Sequence, residues 1–322
     1  MTAHAPASAG QEKKGAENMA TKYIRFGNMM PTEEQKARPY LIDKDPFQIA
    51  GNLYYVGNLW CASHLIDTGE GLLLLDVPAA SGYPGLLINI QKLGFNICDL
   101  KWIVCSHAHT DHYGCIQALV ARTGAKTYMG RVDTEDMMAN PERTKRLDAG
   151  LGPYNEPFVP DVQLEDGDVL TFGNVTMKCV LTPGHTIGVM SHFWEMDVDG
   201  ETLRVGIYGG SGYGSLSTEG LKKFGQPLSM QRVFVESIEK VWDEKVDIML
   251  GNHPFHSDEY QKNERRKKGC AGNPFIDPTE WHRYLTELRT GFEDFLQFTP
   301  EQGAAMFAET HLMEYYEGVF ED

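Results

Sequence analysis

The sequence predicts an α/β fold in which two β-sheets pack face to face inside outer layers of helices. Three observations carry this expectation. Short β-rich runs alternate with turns in two stretches, one from Gly51 and one from Val169. Apolar stripes at helical spacing accompany both stretches, and the regular βαβ alternation of a doubly wound parallel sheet is missing.

Taken in order, Leu53–Val56 and His64–Ile66 are strand-like, the turn 67–71 follows, and Leu72–Leu75 is an all-apolar strand ending on the carboxylate of Asp76. Leu86, Leu87, Ile90 and Leu93 recur at helical spacing and stop at Gly94, a natural C-cap. Trp102–Cys105 is a further buried strand, Tyr113–Arg122 a helix and Lys126–Met129 a strand. Residues 140–160 hold four prolines and no clear period, the pattern of an insert over one face. The second half repeats the style. Val169–Phe172 and Val175–Leu181 flank Gly173-Asn174 as a hairpin, and His192–Met196 pairs with Leu203–Tyr208 across Asp199-Gly200. A helix over about Met230–Lys245 leads into the strand Val246–Leu250. After Phe275, Asp277-Pro278-Thr279-Glu280 reads as a capping box before an apolar helical stripe, and Thr299-Pro300-Glu301-Gln302 repeats the device. This terminal helical pair is expected to pack on its own domain, with a homodimer interface or an active-site wall as the alternative.

The chain has 322 residues, ample for a sizeable core without disulfide staples. Its 29 Lys and Arg against 45 Asp and Glu give a net charge of −16, which repels a phosphate backbone over most of the surface and argues against nucleic-acid binding as a main role. No apolar run approaches the roughly 18–20 residues of a membrane span. Residues 1–22 contain no Leu, Ile, Val or Phe and lack the apolar core of a secretory signal, so they are expected to be a disordered tail. The six cysteines are scattered without C-x-x-C pairs, and together with the missing signal this points to the cytoplasm. The expected organisation is thus a tail over 1–22, one main domain over 23–275 and a helical extension over 276–322.

Ser106-His107-Ala108-His109-Thr110-Asp111-His112 follows directly on a buried strand and places three imidazoles and a carboxylate within six residues. His107 and His109 alternate on an extended segment and point the same way, while Asp111 and His112 open the next helix and face a second ion. A polar helix entry with exposed histidines is the bland alternative; so dense a run of metal-competent side chains disfavours it. His185, in Thr182-Pro183-Gly184-His185-Thr186, and His253, in Gly251-Asn252-His253-Pro254, each follow a strand and complete two three-residue sets. Either alone would read as an ordinary histidine. His256 is the other candidate for the last place. His64 and His192 are expected to be satisfied, half-buried strand histidines. Asp76 is a partner of the site or a turn cap, Tyr208 and Tyr213 are expected to pack, and the basic run Lys262, Arg265, Arg266, Lys267, Lys268 is expected to be a solvated loop.

On the run Ile103 to His112, with its H-x-H-x-D-H core and the later histidines at strand ends, the sequence resembles the metallo-β-lactamase superfamily over roughly residues 46–256. It is most similar to the third, histidine-rich subclass of the metallo-β-lactamases. The resemblance implies a four-layer αββα sandwich with two zinc ions, here with a C-terminal helical extension. It implies that His107, His109 and His185 hold the first zinc and that Asp111, His112 and His253 hold the second. Where related dinuclear thioesterases and lactonases have a bridging aspartate, this chain reads Tyr208-Gly209-Gly210-Ser211, which favours the lactamase-like arrangement and gives Ser211 a supporting catalytic role. His109 stands where the similar di-iron flavoproteins carry a glutamate, which argues for zinc over iron. The implied reaction is hydrolysis of an amide, lactam, lactone or ester of a small molecule by a metal-bridging hydroxide, with Asp111 orienting it. A lactonase, a thioesterase or a mononuclear iron sulfur dioxygenase of the same fold is the alternative, and a non-catalytic metal scaffold is disfavoured.

Overall fold

The computed structural model describes residue 26 and residues 29–144, 156–298 and 310–320. The expected tail, the centre of the insert and the second capping device at 299–302 lie outside the described residues.

A seven-stranded sheet runs in chain order through β2 (Phe47–Ala50), β3 (Leu53–Tyr55), β4 (His64–Asp67), β5 (Leu72–Leu75), β6 (Leu100–Val104), β7 (Lys126–Gly130) and β8 (Val162–Leu164). It is antiparallel through β5 and parallel thereafter. The second sheet has five strands, β9 (Val169–Phe172), β10 (Val175–Leu181), β11 (Met190–Val198), β12 (Glu201–Ile207) and β13 (Ile248–Leu250), with only β12 and β13 parallel. Both hairpins occur where the turn residues place them.

The all-apolar β5 is buried on both faces, as such runs are in covered sheets. Leu73 and Leu75 meet Met177, Trp194 and Ile207 of the other sheet, whereas Leu72 and Leu74 face Leu86, Ile90, Ile116 and Leu119 of the outer helices. Across the five-stranded sheet, Val180 and Phe193 meet Phe234, Ile238, Trp281, Leu285, Leu288 and Phe292. Helix, sheet, sheet, helix is therefore the layer order, and the terminal stripe is buried against its own chain. Among the described residues no helix is long and apolar enough to cross a membrane.

Several local expectations change. The helix expected over Tyr113–Arg122 is two, Thr110–Tyr113 and Ile116–Thr123, because the Cys115 N–H turns away to the Pro78 carbonyl at 3.0 Å. The helix from Met230 ends at Lys240, not Lys245. Asp277 caps no helix: its carboxylate accepts from the Thr279 N–H and hydroxyl in a local turn, and the helix runs Glu280–Phe295. The capping-box acid Glu280 is buried and pairs with Lys262 instead of reaching back. That pairing overturns the solvated reading of the basic run for Lys262, while Arg265, Lys267 and Lys268 are exposed as expected. The run lies largely on helix Glu259–Lys267, with Lys262 buried and the Arg266 guanidinium donating to the Gln48 and Ile49 carbonyls.

Two short strands from distant parts of the chain, β1 (Met29–Met30) and β14 (Thr310–His311), pair in parallel at one side of the sandwich. Just beyond, the Tyr316 hydroxyl donates to the Leu59 carbonyl at 3.2 Å, and the Tyr315 hydroxyl to that of Phe255 at 3.3 Å.

His192 departs from the satisfied histidine expected of it. It is fully buried, with neither ring nitrogen in a hydrogen bond. Burial drops its pKa to about 4, with Asp76 opposing the shift. The native ring is thus neutral, while the unfolded chain takes up its proton near the ordinary 6.5. Stability is therefore expected to fall as pH drops from about 6.5 to about 4, by about 3 kcal/mol. Urea melts across this window are expected to show a loss smaller by about 3 kcal/mol in His192→Phe than in the parent.

Candidate metal centre

The chemistry-bearing residues gather at one end of the two sheets. Asp76 follows β5, His107 follows β6, His185 follows β10, Ser211 follows β12 and His253 follows β13. Two triads result, His107, His109 and His185 in one and Asp111, His112 and His253 in the other, each offering three ligand atoms within 4.8 Å of one another. In the first triad the ring centroids lie 4.6–4.9 Å apart, nearly perpendicular. His107 and His112, one from each triad, have centroids 4.2 Å apart, so the two sets adjoin. In the second, Asp111 Oδ2 lies 3.6 Å from Nε2 of both His112 and His253.

Backbone and side-chain acceptors orient imidazoles of both triads from behind. His107 Nδ1 donates to the Gly209 carbonyl at 2.8 Å, His185 Nδ1 to Gly212, His253 Nδ1 to Trp60 and His112 Nδ1 to the Asp76 carboxylate. Such outward donation fixes the tautomer, so that each Nε2 presents a lone pair. His107 Nε2 is buried and receives no hydrogen bond, a costly arrangement for an imidazole unless a cation meets it. Burial, then the neighbouring His112, His185 and His109, hold the His107 pKa well below its usual value, which keeps it neutral and ligand-competent. Nitrogen-rich triads with one carboxylate fit zinc.

Asp76 holds the centre together. Its backbone is left-handed, with φ 56°, and its carboxylate accepts from Ser106 N and Oγ, both at 2.7 Å, from His112 and from Asn252 Nδ2 at 3.2 Å. Burial alone would raise its pKa, but the bonds from His112 and Ser106 outweigh burial and hold the carboxyl below the usual range. Ser211 is buried on the glycine-rich turn, its Oγ 3.4 Å from the His256 ring nitrogens. His256 stands edge-on behind His253, 5.1 Å between centroids, and lies outside both triads. Tyr208 and Tyr213 pack in the core behind the turn. His64 is buried and pairs with Glu259 at 3.0 Å, and belongs to neither triad.

Two supports escaped the sequence reading. Asp133, on helix Arg131–Ala139, accepts from the Ala108 N–H (2.8 Å), the Gly188 N–H (2.7 Å) and the Thr186 hydroxyl (2.7 Å), tying the loops of His107 and His185 together. The turn of Gly209, Gly210 and Gly212 is the other: a Cβ at Gly210 would stand 2.9 Å from His185 Cδ2, and one at Gly212 3.1 Å from Cε1. Gly210→Ala is therefore expected to push His185 aside and weaken the first site's zinc affinity about 10- to 100-fold, with little change at the second. Competition with a chromogenic chelator checks this.

The sequence profile of the metallo-beta-lactamase superfamily matches residues 57–197. The subclass B3 metallo-β-lactamase BJP-1 of Bradyrhizobium japonicum superposes with a TM-score of 0.70 at 31% identity, over 82% of this chain and 97% of that one. A Beta-lactamase hydrolase-like protein of Xylella fastidiosa is 28% identical over 120 residues, 35% of this chain and 25% of that protein. A probable polyketide biosynthesis zinc-dependent hydrolase of Bacillus subtilis is 27% identical over 106 residues, 33% of this chain and 40% of that one. The chain thus matches well under half the length of these two curated relatives, but nearly all of the B3 structure.

Proposed function

Because the chain belongs to the metallo-β-lactamase superfamily and stands close to its subclass B3, we propose that it is a dizinc hydrolase of a small acyl compound: an amide, lactam, lactone, ester or thioester. The adjoining triads carry this reading, since two ligand sets that share an edge suit a pair of ions acting on one substrate. His107, His109 and His185 hold one ion, and Asp111, His112 and His253 the other. Zinc, when bound, supplies a Lewis acid and makes water acidic near neutral pH.

The chain's own residues do the rest. Asp111, partly open to solvent, orients the attacking water and takes up its proton. The carbonyls of Gly209, Gly212 and Trp60, with Asp76, keep the imidazoles aimed, and Ser211 positions the second triad through His256. Water adds across the acyl bond, giving a carboxylic acid and the released amine, alcohol or thiol.

The test is turnover by zinc-loaded protein of a chromogenic cephalosporin, an acyl lactone and an acyl thioester, with bound zinc counted by equilibrium dialysis. Two zinc ions per chain and kcat/KM in the usual enzyme range of about 10⁴–10⁸ M⁻¹s⁻¹ for one of them are expected. A protein holding two ions that cleaves none of the three would overturn the reading.

A further inference from the structure

Resting on that hydrolase reading, we propose that the acyl group accepted here is uncharged, apolar and short, and that it seats in a cleft opening from the first triad. The cleft starts at His109 and His185 and has a volume of about 70 Å³. Its walls are Met137, Ile187, Leu216, Leu221, Phe224 and Met230, from helix Arg131–Ala139, the loop after His185 and the segment leading into helix Met230–Lys240. A substrate whose reacting carbonyl stands at the first triad places its acyl substituent against these side chains, and burial of methylenes there favours binding.

The charged groups of the cleft are already committed. Asp133 accepts three hydrogen bonds from Ala108, Thr186 and Gly188. Asp136 is paired with Arg143 and accepts from Asn140 Nδ2 at 2.8 Å. The Arg143 guanidinium also donates to the Phe224 carbonyl at 2.7 Å, so it bridges two walls and sets the width of the cleft. A substrate carboxylate placed here meets no unpaired cation among the described lining residues and faces two carboxylates. The cleft therefore selects against an anionic acyl group.

The test uses zinc-loaded protein and two readouts. The first is kcat/KM for p-nitrophenyl acetate, propanoate, butanoate, hexanoate and hemisuccinate; the second is calorimetric binding of the n-alkanols from propanol to hexanol, which need no hydrolysis. Both are expected to rise about fourfold per methylene until the cleft is full, with the hemisuccinate well below the butanoate. Met230→Trp, at a half-buried position, should fill the cleft and flatten both series, and Ile187→Ala should move the plateau to longer chains. Esters cleaved without dependence on chain length or charge would overturn the inference and leave the hydrolase reading intact. Alkanol binding that follows chain length and is blocked by Met230→Trp, with no ester cleaved and none of the cephalosporin, lactone and thioester turned over, would sink the hydrolase reading and keep the apolar cleft. A flat series in both readouts ends the proposal.

Discussion

His107→Ala is expected to lower kcat/KM by well over 100-fold and to reduce bound zinc from two ions per chain to one. Changes in groups that merely orient metal ligands cost about 10- to 100-fold, and His107 belongs to the triad itself. Nothing nearby replaces it, since His109 and His185 already occupy the other corners and Asp111 faces the second triad. The substitution also leaves the buried Gly209 carbonyl without its donor, at a cost of about 1–3 kcal/mol. Urea melts of the variant therefore accompany the assays, so that unfolding is told apart from loss of metal. A folded variant with one zinc and no turnover is the expected outcome; full activity in a folded His107→Ala protein would remove this residue from the centre.

Asp76→Ala acts from outside the triads and is expected to damage both stability and the second site. Four donors converge on this carboxylate: the Ser106 N–H and hydroxyl, His112 and Asn252. Alanine strands them in a buried place and must also adopt the left-handed backbone that aspartate tolerates better. Each buried donor left without an acceptor costs about 1–3 kcal/mol. Without an acceptor the His112 ring is free to turn, so zinc at the second triad should weaken about 10- to 100-fold while the first triad keeps its ion. Asp76→Asn keeps the shape but turns an amide donor toward other donors, and should fall between parent and alanine in chemical melts and zinc titrations. Equal loss at both sites would show that Asp76 supports the fold only.

The strands and the ligand candidates were legible because their causes are local. Leu72–Leu75 is apolar throughout since both of its faces are covered, and both hairpins announce themselves through Gly173-Asn174 and Asp199-Gly200. The triads show as residue types at strand ends. What holds them in place does not show, because a backbone carbonyl such as those of Gly209, Gly212 and Trp60 has no identity in a sequence. Helix Arg131–Ala139 was missed for a related reason: it buries Asp133, Thr134 and Met137, a mostly polar face that makes no apolar stripe. The basic run misled through composition. Lys262 is buried because Glu280 lies beside it, eighteen positions along the chain, a pairing no local pattern displays.

The β1–β14 pairing also orders events in time. A chain emerging from the ribosome in sequence order folds its local units first, and both hairpins and the H-x-H-x-D-H turn are complete well before residue 310 exists. The Trp60 carbonyl that aims His253 lies beside Leu59, whose own carbonyl waits for Tyr316, 257 positions downstream. The first histidine triad can therefore take its final shape early in synthesis, whereas the Leu59–Tyr316 contact behind the second forms only once residue 316 has been made. Closing so long a loop is a late and entropically unfavourable step, so a nascent chain stalled before residue 310 should capture zinc at the first triad ahead of the second.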